Sequence, residues 1–127
     1  MADDSLWGDL STIERPRTPK SILRQQAELL NAATGGVILA EVVDSSTSYQ
    51  LESTLVIVAP ALNDYRYTLV SVRHKIDLYP CEVRIPDPYQ LIECEDEARF
   101  VAALKSVLGA PRTRQIISAL LAQSEAS

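Results

Sequence analysis

One Trp, one Phe, one His, two Cys and four Gly among 127 residues leave several chemistries without their usual parts. A transmembrane helix is excluded, because no window approaches the roughly 18 consecutive apolar residues that a span requires. The start, Met1-Ala2-Asp3-Asp4, has neither the basic nor the apolar region of a secretory leader, so the expectation is a cytoplasmic chain. Two cysteines, Cys81 and Cys94, fall short of a disulfide framework and read as reduced, buried thiols. One histidine with no close cysteine pair gives no zinc spacing, and no metal is expected. The one glycine pair, Gly35-Gly36, lies after a helical segment and before a strand, whereas phosphate cradles lie after a strand and before a helix. It reads as a helix stop, and no cofactor is expected. Internal repeats and low-complexity runs are missing as well.

What is present is a chain with 46% apolar side chains and a formal charge of −5, enough for one domain. The charge is unevenly placed. Asp3, Asp4, Asp9 and Glu14 stand in the first fourteen residues without a Lys or Arg, which leaves only −1 for residues 15–127. A second acidic cluster sits at Glu93, Glu95, Asp96 and Glu97. The net charge therefore sets up no general field against nucleic acid.

Residues 1–17 show no sustained period and are expected to form an extended or disordered acidic arm; residues 18–127 form the domain. Thr18 and Pro19 open a helix, with Ile22, Leu23, Gln26, Leu29, Leu30 and Ala33 at helical spacing. Strands follow at Val37–Val43, from Tyr49 as far as Leu62, at Tyr65–His74 and at Asp77–Ile85, with Tyr89–Cys94 as a short fifth strand or an extended approach. Leu55 to Ala59 is apolar on both faces, so this strand needs cover on both sides. Pro60 marks its end or a bulge. The acids before Phe100 open a second helix that stops at Gly109, and Pro111 opens a third. The fold class is α+β: an antiparallel four- or five-stranded meander flanked by one N-terminal and two C-terminal helices.

Four kinds of site can be placed on this frame, the last of them on the arm. A small enzyme would gather His74, Tyr79 and Cys81, since a thiolate beside an imidazole is a nucleophile; the bland reading is that Cys81, on the apolar side of its strand, is a small core hydrophobe. The acidic cluster suits carboxylate acid–base work or a divalent cation in principle, but fits a helix N-terminus better and lacks a calcium-loop pattern. RNA or single-stranded DNA binding would use Tyr65, Arg66, Tyr67, Arg73, His74 and Lys75. Strict alternation, however, sets Tyr65, Tyr67 and Arg73 on one face and Arg66 and His74 on the other, and nucleic acid ranks behind protein as a partner. The fourth kind of site is the arm: Leu6, Trp7, Leu10 and Ile13 lie among acids, and positions 6, 10 and 13 have helical spacing. Trp7 is expected either to meet a partner or to fold back on its own domain.

The leading expectation is a non-enzymatic cytoplasmic protein-binding module. Three helices leave one sheet face uncovered, which predicts a homodimer through that face. The expected contact residues are Leu6, Trp7, Leu10, Tyr65, Arg66, Tyr67 and Arg73. In size and architecture such a domain resembles secretion chaperones, immunity proteins and other adaptors, a likeness of fold alone.

Overall fold

Thr18 Oγ1 accepts a hydrogen bond from the Ser21 backbone N–H at 3.0 Å, and Ser21 Oγ accepts one from the Thr18 backbone N–H at 3.1 Å. This reciprocal cap, with Pro19 in the first turn, starts helix α1 at Pro19–Ala33. The helix ends where Gly35 and Gly36 take φ of +61° and +80°, a backbone that other residues enter only with strain. The computed structural model describes residues 5–127, so Asp3 and Asp4 of the acidic arm lie outside the described residues.

Five antiparallel strands follow in simple meander order: β1 Leu39–Asp44, β2 Leu51–Ala59, β3 Tyr65–His74, β4 Cys81–Pro86 and β5 Tyr89–Cys94. Helices α2, Glu97–Leu108, and α3, Pro111–Ala126, complete the α-β5-α-α order expected from the sequence. The limits of β1, β2 and β4 differ from expectation, and the larger shifts have local reasons. β1 starts after Val37, whose N–H closes a turn onto the Thr34 carbonyl at 3.2 Å. β2 stops at Ala59 because Pro60 opens a short 3-10 turn, after which Asn63 and Asp64 both adopt left-handed backbone. Residues 77–79 are turn rather than strand: the Leu78 and Tyr79 N–H groups bond Lys75 and Asp77 carbonyls, and Leu78 has φ +72°.

All three helices contribute to one core on one side of the sheet. Ile22, Leu23 and Ala27 of α1, Phe100, Leu104 and Val107 of α2, and Leu120 of α3 meet Ala40, Leu55, Ile57, Val70, Val72, Val83 and the two cysteines. A bulge on β3 interrupts the pairing with β2: Leu55 opposes Val70, but Val56 opposes Thr68, leaving Leu69 as the extra residue. Beyond Leu69 the side chains of β3 therefore change face relative to strict alternation.

The second sheet face carries no helix, yet Val56 and Val58 on it are only 6% and 5% exposed. Their cover comes from neighbouring strands. Arg66 opposes Val58, Glu41 opposes Val56, and the Arg66 Nη1–Glu41 Oε2 ion pair at 3.2 Å runs diagonally across β2. Both side chains of the pair are about half exposed, so it borders the valines at the water boundary. Burial of β2 thus does not require a second subunit.

The free edge of β1 is closed by α1. The Ala40 backbone N–H donates to Asn31 Oδ1 at 2.7 Å, Thr34 Oγ1 donates to the Ile38 carbonyl at 2.9 Å, and Lys20 pairs with Asp44 at 3.2 Å. Replacing Asn31 by Ala is expected to destabilise the fold by about 1–3 kcal/mol, since it strands a part-buried N–H. Urea unfolding of the variant measures this, and an unchanged midpoint would show that Asn31 does not secure the edge.

Candidate functional site

The arm presents its apolar side chains to solvent. Leu6 is 99% and Trp7 79% exposed, and Leu10 and Ile13 are about half exposed. A single 3-10 turn, Leu10–Thr12, interrupts it. Asp9 caps that turn by accepting the Ser11 backbone N–H at 3.0 Å and the Ser11 hydroxyl at 2.6 Å, and these bonds hold its carboxyl below the usual range. The root of the arm is fixed, because Arg17 bonds Glu97 at 3.1 Å and Gln25 at 3.4 Å.

The β3 residues divide between the two faces. Tyr65 and Tyr67 oppose Ala59 and Ile57 on the helix side; Tyr67 packs against the core and donates its hydroxyl to Asp87 at 3.4 Å, while Tyr65 stays half exposed. Arg66 and Arg73 both lie on the helix-free face. This corrects the strict-alternation reading, which grouped Arg73 with the tyrosines: the bulge at Leu69 reverses the parity, and it turns His74 toward the core side. On the open face Arg73 bonds Glu82 at 2.6 Å, Glu52 lies 3.8 Å from Arg84, and Thr54 and Ser71 share a hydrogen bond of 3.0 Å. The bond from Glu82, then its charge, holds the Arg73 guanidinium proton more tightly than usual. Glu41, Glu52 and Glu82 are the partners that sequence reading missed. They become visible only once strand register is known.

The sheet end nearest His74 contains a cavity of about 380 Å³, where His74, Tyr79 and Cys81 are indeed brought together with Arg73, Lys75 and Glu93. His74 Nδ1 donates to the Lys75 carbonyl at 2.6 Å. Cys81 opposes Cys94 across β4 and β5, and both thiols are free and buried. Burial pushes the Cys81 thiol up to about 12 and the Cys94 thiol up as well. Nucleophilic cysteines need the opposite shift. Burial likewise moves the Tyr79 hydroxyl up to about 12; that oxygen has no hydrogen-bond partner, and its ring sits 6.4 Å from Phe100.

The acidic cluster is largely used by the fold. Asp96 caps α2 by accepting the Arg99 N–H at 2.8 Å, and Glu97 holds Arg17. Among the described residues no group of three or more His, Cys, Asp or Glu is arranged to hold a metal ion, and no helix is long and apolar enough to cross a membrane. A further apolar cavity of about 240 Å³, absent from the sequence reading, lies between α1 and α3 over Leu55 and Leu69.

The thiol and phenol shifts set a pH dependence. In the unfolded chain these groups ionise near 9 and 10, whereas in the fold Cys81 and Tyr79 hold their protons to about 12. Between those limits the unfolded state binds fewer protons, so stability falls as pH rises. Native protein at neutral pH is expected to react with an aromatic disulfide reagent only as fast as it unfolds; rapid labelling of both thiols would contradict the burial. No protein-family model, curated protein or solved structure matches the chain.

Proposed function

We propose that this chain is a non-enzymatic, cytoplasmic protein-binding module whose contact element is the N-terminal arm, with Leu6 and Trp7 as anchors and Leu10 and Ile13 beside them. The observation that carries the reading is the exposure of the lone Trp, at 79%, next to a Leu at 99%. Large apolar groups on a polar segment gain most when a partner groove removes them from water, and Trp is prominent among the side chains that dominate binding energy. Asp9 and Glu14 flank the apolar positions, which favours a groove with a basic rim. Free thiols facing one another suit a reducing compartment. The protonated thiol of Cys81 weighs against the enzyme reading, and the ion-paired Arg66 and Arg73 weigh against a sheet surface that stacks and neutralises nucleic acid. A second copy of the chain is one partner the arm could serve.

The single Trp makes the test direct. In dilute protein Trp7 is expected to emit as a water-exposed indole and to be quenched freely by iodide, with a blue shift and protection when partner binds. Blue shift that grows with protein concentration alone would identify the second copy as partner. Protection at every dilution would place Trp7 on its own domain and overturn the reading. Trp7→Ala should cost about 2 kcal/mol or more of partner affinity, while folded stability changes by under about 0.5 kcal/mol.

A further inference from the structure

The two edges of the sheet are treated differently. β1 has its Ala40 N–H taken by Asn31 and its end tied by the Lys20–Asp44 pair. β5 is paired only with β4, so alternate backbone N–H and C=O groups along Tyr89–Cys94 face outward, and among the described residues no side chain bonds them. The strand holds no Pro, no Lys and no bulge, its one charge is Glu93, and Tyr89 and Leu91 are 67% and 46% exposed.

Charge on the open face indicates what would pair there. One cross-strand row reads Glu52, Arg73, Glu82, Glu93 from β2 to β5. The signs alternate through the first three and then fail, because Glu93 stands directly opposite Glu82, which already holds Arg73 at 2.6 Å. Like charges directly opposite destabilise a strand pair, and a cation on the next strand would restore alternation. Leu91, two residues before Glu93 on the same face, calls for an apolar neighbour, and Glu95 just past the strand end adds negative potential. Two copies of β5 cannot supply the cation, since the strand has no basic residue.

We propose that the β5 edge receives an extended segment of a partner protein, joining the sheet as a sixth strand, with a Lys or Arg opposite Glu93 and an apolar residue opposite Leu91. Main-chain hydrogen bonds supply the attachment and these two positions supply the selection. The site extends the protein-binding reading to a surface separate from Trp7.

The test titrates the full chain with a capped synthetic peptide of alternating valine and threonine carrying one central lysine, and with its counterpart carrying glutamate there. Amide shifts and hydrogen exchange are followed by NMR. Supporting results are slowed exchange of the outward amides in residues 89–94 with β1 amides unchanged, and binding of the lysine peptide that is on the order of tenfold tighter. Glu93→Lys should reverse the preference, and added salt should shrink it. Equal binding of the two peptides, protection elsewhere, or no protection would overturn the proposal. So would protection of β5 that rises with protein concentration alone, which assigns the edge to a second copy. Trp7 emission should stay unchanged throughout, so failure at β5 and failure of the arm are read separately.

Discussion

A strand that is apolar on both faces sets the terms for the whole fold. Leu55, Ile57 and Ala59 of β2 point to one side and Val56 and Val58 to the other, and all are nearly fully buried. Water must be kept from both sides by a chain with three helices. The solution is unequal. The helices converge on the side that also receives Val70, Val72 and Val83, while the other side is closed by the Glu41–Arg66 pair laid across the strand. As an exposed ion pair it contributes little Coulomb energy. It stands on the strands either side of Val56 and Val58, which stay 6% and 5% exposed with no helix above them.

This arrangement decides which surfaces remain for recognition. A face roofed by Glu41–Arg66, Glu52–Arg84 and Arg73–Glu82 has its charges internally engaged, so a partner docking flat on it would have to desolvate or exchange those pairs. The uncommitted features lie at the margins instead: the arm with Leu6 and Trp7, and the β5 edge with Tyr89, Leu91 and Glu93. A partner at the margins keeps the roof over β2 intact.

The sequence was readable where local chemistry and long-range packing agree. Thr18-Pro19 and Gly35 bound α1 because caps act within a few residues, and Tyr65–His74 and Tyr89–Cys94 are flanked by turn residues that suit the meander. It misled where alternation in the chain has another cause. Leu78 and Tyr79 look like the first residues of β4, but they belong to a hydrogen-bonded turn. The bulge at Leu69 was hidden because the apolar and small residues from Thr68 to Val72 satisfy either register, and that single extra residue decides whether Arg73 sits with the tyrosines or with Arg66. The anionic partners of the arginines were hidden for the same reason. The arm was legible as a segment because its composition departs from the domain's, but neither its 3-10 turn nor its anchorage at Glu97 has a sequence signature.

That anchorage links the two marginal surfaces. Arg17 is held by Glu97 at the first residue of α2, three residues beyond the end of β5, so the arm leaves the domain at the corner where the strand edge ends. Both surfaces pair exposed apolar groups with carboxylates, Leu6, Trp7 and Asp9 on the arm and Leu91, Glu93 and Glu95 at the edge. For the arm and edge contacts proposed above, a partner with basic residues beside an apolar strip would meet the same chemistry at both. If both proposed contacts form on one partner, the second is intramolecular, and its effective concentration is set by the length of arm that joins them.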